Sequence, residues 1–233
     1  MKIFSISDLH LSLCGEKPME VFDGWDNYLD CIKQSWLSNV SDDDVVVIAG
    51  DISWAMRLDE FQVDMQYFES LPGKKVFVRG NHDYWWSSVT KVRAILPKNC
   101  YVLQNDCVKL QNVCFCGTRG WTVPERNQTM SEEDEKILNR ELIRADISLN
   151  EMARVRKPGD KVVFVMHYPP FDSTRTFDKF TQLFELYKVD VVIYGHLHGK
   201  HIRSKLYELR NGVSYYLTST DQVNHQLVPI EIK

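Results

Sequence analysis

The feature that most constrains this chain is a figure repeated five times: a short run rich in Val and Ile that breaks off into Asp, Asn or His. The runs cover residues 2–7, 45–49, 75–79, 161–166 and 190–194. Their length and β-branched content fit strands, and their mainly apolar character fits strands buried on both faces. The polar breaks read Asp8-Leu9-His10, Gly50-Asp51, Gly80-Asn81-His82-Asp83, His167 and Gly195-His196-Leu197-His198. In α/β sheets, ligands bind just beyond the carboxyl ends of the strands. Breaks of this kind on neighbouring strands therefore converge on one place.

The rest of the chain supports an α/β organisation. Helices are expected between the first three runs, at about 25–38 and 58–71. Residues 100–103, 108–110 and 113–117 read as short strands joined by Asn/Asp turns. A long helix is expected over about 132–156, with Ser131 as its N-cap and Glu132, Glu133 and Asp134 in its first turn. Ile137, Leu138, Leu142, Ile143, Ala145, Leu149 and Met152 give it an apolar stripe, and Pro158-Gly159 ends it. Residues 200–232 again read as short strands. The expected architecture is two stacked mixed β-sheets flanked by helices, in one domain spanning 1–233 without repeat or linker.

Composition narrows the partners. The formal net charge is -4, and no basic run exceeds Lys74-Lys75. A nucleic-acid partner is therefore not expected. A small anionic substrate remains compatible, because bound cations do not enter the sequence charge. No apolar stretch nears the ~20 residues that span a bilayer, and Asp8 interrupts the first run too early for a signal-peptide core. None of the six cysteines forms a C-x-x-C pair. The expectation is reduced thiols, no membrane association and a cytoplasmic location.

Of the seven histidines, five (His10, His82, His167, His196 and His198) stand in the strand-end clusters. Taken singly, each has a plain structural reading: a lone His hydrogen-bonds locally, Asp51 turns or caps, and Gly80-Asn81 is a turn dipeptide. Their joint placement is what points to metal. Imidazole, carboxylate and amide oxygen together suit manganese, iron, zinc or similar ions, and the absence of thiolates argues against a structural zinc site. Asp8 and His10 can face one side of an extended segment, as can His196 and His198. A carboxylate such as Asp51 can bridge two ions.

Taken in order, these motifs resemble the calcineurin-like metallophosphoesterase superfamily, and they span residues 8 to 198. The resemblance implies a two-sheet sandwich with metals at one edge. It implies two divalent ions, one held by Asp8, His10, Asp51 and His198 and the other by Asp51, Asn81, His167 and His196. It implies that His82 contacts the phosphate and the leaving group, and that Asp83 orients His82. The expected reaction is hydrolysis of a small-molecule phosphate mono- or diester by a metal-bridging hydroxide, with His82 as proton donor.

Substrate-selecting residues are expected beside the motifs. Trp54 and Arg57 follow Asp51; Tyr84, Trp85 and Trp86 follow Asp83; Arg119, Trp121 and Arg126 lie before Ser131; Tyr168, Phe171 and Arg175 follow His167. Trp54, Arg57, Trp85, Arg119 and Tyr168 are the chosen set, because Arg suits phosphate and aromatic rings suit flat or apolar groups. The aromatics could equally pack into the core, and the arginines could lie on a solvated surface. The alternative from another class is a non-catalytic metal-binding scaffold of the same fold. The intact ligand set and His82 argue against it.

Overall fold

The Val/Ile runs form the inner strands of two sheets in the computed structural model, which describes residues 1–15, 17–176, 179–199, 201–202 and 204–232. The strands are β1 (Ile3–Ile6), β2 (Val45–Ile48), β3 (Lys74–Val78), β4 (Cys100–Leu103), β5 (Asp106–Leu110), β6 (Val113–Gly117), β7 (Lys161–Val165), β8 (Val191–Tyr194), β9 (Tyr207–Arg210), β10 (Val213–Leu217) and β11 (Val228–Pro229). The helices are α1 (Tyr28–Asn39), α2 (Leu58–Glu69), α3 (Val89–Ile95), α4 (Glu132–Val155) and α5 (Lys179–Leu186).

One sheet has the order β11-β1-β2-β3-β4 and the other β5-β6-β7-β8-β10-β9. Both are mixed. β1 to β4 run parallel with β11 antiparallel at one edge, and β6, β7, β8 and β10 run parallel with β5 and β9 antiparallel at the edges. Alternate residues of the inner strands meet in the layer between the sheets. Val45, Val47, Val76 and Val78 of one sheet and Phe115, Val163, Val165 and Ile193 of the other share that core. The opposite strand faces are covered by helices. Ile32, Trp36, Phe61, Met65 and Phe68 of α1 and α2 pack on the first sheet. Leu138, Ala145, Leu149, Met152, Phe180 and Phe184 of α4 and α5 pack on the second. Burial on both faces is why these strands lack the alternation of a half-exposed sheet.

The two-sheet expectation is met, with local differences. α3 and α5 are short helices that apolar patterning did not separate from loop. In α4, Ser131 Oγ accepts from Asp134 N at 3.1 Å, as an N-cap should. The buried stripe, however, excludes Ile143, which is exposed, and includes Glu141 and Ser148. The reason is hydrogen bonding to the second sheet. Ser148 Oγ accepts from Gly117 N at 2.8 Å and donates to Asp106 O at 2.7 Å. Glu141 Oε2 accepts from Thr118 Oγ1 at 2.7 Å and Gly120 N at 3.1 Å. α4 therefore fixes the loop that leaves β6, and that loop borders the site. Residue 200, where the expected C-terminal strands begin, lies outside the described residues.

Candidate metal centre

The parallel strands all point their carboxyl ends to one side, and there the two sheets are stitched together. Ser7 bridges to Ser219 just past β10, with Ser7 N donating to Thr218 O at 2.8 Å and Thr220 N donating to Ser7 O at 3.0 Å. β1 and β2 continue their pairing beyond the sheet through Asp8 N to Gly50 O (3.0 Å) and His10 N to Asp51 O (3.0 Å). Loops from both sheets thus arrive together.

The backbone departs from ordinary geometry at the ligand candidates. Asp8, His10, Asp51 and His196 adopt φ of 58°, 48°, 50° and 69°. Left-handed backbone at residues other than Gly is uncommon and costs of order 1 kcal/mol or more each. Here it turns four side chains toward one point. The glycines of the motifs make room for that turn. A Cβ on Gly80 would lie 2.1 Å from Asp51 N and Oδ1, and one on Gly195 would lie 2.3 Å from Ser7 Oγ.

Two overlapping clusters result. Ligand atoms of Asp8, His10, Asp51 and His198 lie within 4.8 Å of one another. In the second cluster, Asn81 Oδ1 is 2.7 Å from His167 Nε2 and 3.0 Å from His196 Nδ1. His167 Nε2 is 3.4 Å from Asp51 Oδ2, and His10 Nε2 is 3.9 Å from the same oxygen. Asp51 stands between the clusters. The fold thus brings together the seven side chains named as ligand candidates from the sequence.

The donor chemistry fits cations. Asp51 Oδ2 and both ring nitrogens of His10 are buried and have no hydrogen-bond partner. Buried polar atoms are ordinarily satisfied, so a carboxylate oxygen and an imidazole lone pair left open at one point call for positive charge. His167 Nδ1 faces the Ala49 carbonyl at 3.0 Å. A proton on Nδ1 directed at that carbonyl leaves Nε2 as the nitrogen facing the cluster, the arrangement typical of metal-ligating His. The other Asp51 oxygen, Oδ1, accepts from His82 N at 2.8 Å. Both oxygens of Asp8 accept from His196 N at 3.1 Å, and Ser7 Oγ donates to Oδ2 at 2.6 Å.

Protonation follows from burial and from neighbours. Burial pushes His10 down to about 4, and burial together with the adjacent His167 pushes His196 down to about 4. Both are therefore neutral lone-pair donors. Burial also opposes charge on His167, but the Asp51 carboxylate beside it, with Oδ2 3.4 Å away, outweighs it and raises the group to about 9. Burial likewise opposes charge on Asp51, yet His167, His10 and the His82 amide hold it below the usual carboxylate range. A proton on His167 thus offsets the Asp51 charge where a cation would otherwise do so.

The remaining expected residues divide. His82 lies at the rim: its ring is 5.5 Å from that of His10 and 4.7 Å from that of Trp54. Trp54 stacks on His10 at 4.6 Å with planes 18° apart, and Lys17 Nζ lies 5.3 Å from its ring centre. Tyr168 packs against His196 at 4.2 Å on the opposite side. Arg119 stacks on Trp121 at 4.8 Å, and its carbonyl accepts from His167 N and Tyr168 N at 3.0 and 3.2 Å.

Three residues stand elsewhere than expected. Asp83 does not hydrogen-bond the His82 ring. Its Oδ1 accepts from Ile52 N (2.8 Å), Ser53 N (3.2 Å) and Trp85 Nε1 (3.0 Å), and its Oδ2 from Gly80 N (2.7 Å). It ties the Asp51 loop to the Asn81 loop and acts on His82 only through backbone. Burial and the Asp51 charge raise its carboxyl to about 6. Trp85 is 2% exposed and stacks flat on Phe61 at 3.4 Å, so it is core and offers no surface to a substrate. The Arg57 side chain is 70% exposed and pairs with Asp59 and Glu60 in the first turn of α2. Both follow a motif in sequence, which is why they are expected near the site, but the chain turns one inward and the other to solvent.

Other residues support the ligands without having stood out in the sequence. Ser7 holds Asp8. Ser53 Oγ donates to Asp64, whose other oxygen accepts from Leu13 N at 2.7 Å, joining α2 to the loop after β1. Asp221 Oδ2 accepts from Gly199 N at 2.6 Å, directly after His198. Ser7 was within reach as the residue preceding Asp8; Asp64 and Asp221 are distant in sequence from what they hold and had no local signal. Among the described residues, no helix is long and apolar enough to cross a membrane.

Comparison with known proteins agrees with this geometry. The family model for calcineurin-like phosphoesterases matches residues 1–200. An uncharacterized metallophosphoesterase of Helicobacter pylori is 22% identical over 204 residues, covering 87% of this chain and 45% of that protein. The chain thus spans about half the length of that curated relative. Among solved structures, the phosphopantetheinyl hydrolase of Mycobacterium tuberculosis superposes with a TM-score of 0.60 at 13% identity, covering 100% of this chain and 96% of that one. A protein of Thermus thermophilus gives 0.57 at 11% identity, covering 99% and 98%. At such identities these likenesses concern the fold. Family match, fold and ligand geometry agree: the chain belongs to the calcineurin-like phosphoesterase family.

Proposed function

We propose that this chain hydrolyses a phosphate ester at a two-ion centre, with Asp51 shared between the ions and His82 as the proton donor to the departing oxygen. The observation that carries the reading is the position of Asp51 Oδ2. It is buried and without a hydrogen-bond partner, and it stands between His10 and His167, which belong to the two clusters.

Asp8, His10, Asp51 and His198 would hold one ion, and Asp51, Asn81, His167 and His196 the other. Bound there, the ions supply an acidified water and positive charge for the phosphoryl oxygens. Manganese, iron and zinc all suit such N/O donors. The protein's own groups do the rest. Asp51 and Asp8 are fixed by backbone amides before substrate arrives, so little reorganisation accompanies reaction. His82 stands at the rim, with Nδ1 buried and unpartnered, where its imidazole can protonate an alkoxide. Trp54 packs against it and limits its rotation.

The test is turnover of p-nitrophenyl phosphate and bis-p-nitrophenyl phosphate by protein loaded separately with Mn, Fe, Zn and Co. Release of p-nitrophenol well above the metal-only background supports the reading. Background rates with every ion, from protein that holds the metal, would leave an inert binding scaffold instead.

A further inference from the structure

A cleft of about 320 Å³ opens beside the metal centre, and only one wall of it belongs to that centre. Its volume is at the lower end of small-molecule sites, roughly 300–1,000 Å³. The shared wall is His196, whose ring packs on Tyr168 at 4.2 Å. The apolar lining is Val123, Tyr168, Pro169, Phe171, Leu197 and Ile202. These residues come from the loops after β6, β7 and β8, all in the second sheet.

The Glu125, Asp172 and Arg175 side chains in the lining are committed to the protein. Both oxygens of Glu125 are taken by Ser173, from N at 2.9 Å and Oγ at 2.7 Å. Asp172 Oδ1 accepts from Thr174 Oγ1 and Thr176 N, both at 2.8 Å. The Arg175 guanidinium pairs with Glu208 at 2.7 Å, bonds Ser204 Oγ and the Lys205 carbonyl, and lies 4.8 Å from the Phe171 ring centre. Among the described residues, an occupant therefore meets mainly apolar surface, with two carboxylates, an engaged Arg175 and the imidazoles of His196 and His201 as its titratable neighbours and no unengaged Lys or Arg, which disfavours a second phosphate.

His82 is on the other side. It follows β3 of the first sheet, and its ring neighbours are His10, Trp54 and Tyr84, none of which lines the cleft. A leaving group protonated by His82 departs on that side. A monoester has one organic arm, and that arm would be there. The cleft beside His196 has a use only for a second arm.

We propose that the substrate is a phosphodiester whose retained ester arm is uncharged and mainly apolar and lies in the cleft bounded by Val123, Tyr168 and Phe171. This rests on the phosphoesterase reading above and sharpens it. In the reaction, water supplies the oxygen of the new P–O bond. The P–O bond to the departing arm breaks with its electron pair on that arm's oxygen, which takes the proton of His82. The water's proton passes to solvent, from which His82 is reprotonated. Diester and water give an alcohol and a monoester, and the cleft holds the monoester's arm.

The test uses the metal-loaded protein and two substitutions that fill the cleft, Val123→Trp and Thr122→Trp. Thr122 is exposed, so its variant keeps the test alive should Val123→Trp misfold. Wild type is expected to favour bis-p-nitrophenyl phosphate over p-nitrophenyl phosphate by about ten-fold or more in kcat/KM, and the substitutions to collapse that ratio about ten-fold through the diester's KM. Calorimetric titration with dibutyl phosphate reads the same site without turnover, and binding should weaken by a similar factor. A wild-type preference for the monoester, or a ratio and a dibutyl phosphate affinity unmoved by filling the cleft, overturns the proposal. Hydrolysis of neither ester with any ion has a different signature: it removes the phosphoesterase reading, and this proposal with it.

Discussion

Asn81 Oδ1 lies 2.7 Å from His167 Nε2, while the other nitrogen of that ring faces the Ala49 carbonyl at 3.0 Å. With the Nδ1 proton directed at the carbonyl, an amide oxygen and an imidazole lone pair face each other at contact distance. Asp51 Oδ2 is a further acceptor at 3.4 Å. Such a constellation is stable only with positive charge inside it, from a proton or from an ion.

Removing one member should release the ion of the second cluster and spare the first. Asn81→Ala and His167→Ala are each expected to lower bound metal from two equivalents toward one, with affinity down at least about ten-fold. Elemental analysis after dialysis against a weak chelator reads this directly. Two equivalents retained in both variants would contradict the assignment.

His82 should separate binding from turnover. His82→Ala is expected to cut kcat by about 10²–10⁴ while metal content stays at the wild-type value. Paired kinetics and elemental analysis check it. Loss of metal along with activity would place His82 among the ligands.

Trp85 and Arg57 sit close to motifs in sequence yet should behave oppositely to substrate-selecting residues. Trp85→Ala removes a ring stacked on Phe61 and the indole donor to Asp83. It should cost about 3–5 kcal/mol of folding stability. Arg57→Ala removes exposed ion pairs and should leave the unfolding midpoint and KM close to wild type. Denaturant unfolding and substrate saturation curves measure both.

Asp44 gives a pH dependence of stability away from the candidate metal centre. Burial opposes its charge, but Lys2 N at 2.6 Å, Ser41 N at 3.0 Å and Ser41 Oγ at 2.7 Å more than compensate, and its carboxyl is held below its ordinary value. A depressed folded-state pKa stabilises fully above the unfolded value of about 3.9 and loses that contribution as pH falls through the folded one. Asp44→Asn should therefore be less stable than wild type at pH 6, and the gap should narrow below about pH 4. Urea midpoints at several pH values read the difference; a gap that widens on acidification would contradict the sign.

The strands and the ligand candidates were legible in the sequence because each is encoded locally. A strand buried on both faces is apolar along its buried length, as 45–49 and 162–166 are, and its end must carry whatever the site needs. α4 was legible from its cap and stripe, but Glu141 and Ser148 were not, since their burial depends on backbone groups of another element. α3 and α5 span too few turns for periodicity to show. Asp83 illustrates the limit most clearly. Its place after His82 suggested a partner for that ring, whereas its four hydrogen bonds go to Gly80, Ile52, Ser53 and Trp85. The cleft was hardly legible, because Val123, Phe171 and Leu197 meet only through loops after three different strands.

The most direct test of the two-ion centre is metal content measured beside ester hydrolysis, before and after chelation. Purified protein should hold two equivalents of divalent metal per chain when saturated. Hydrolysis of the better p-nitrophenyl ester should vanish on removal of both and return with metal. Asp51→Asn, which weakens the shared ligand, should fail to recover under the same addition. Hydrolysis that persists in protein stripped of metal, or Asp51→Asn protein with full metal content and full activity, would contradict the account.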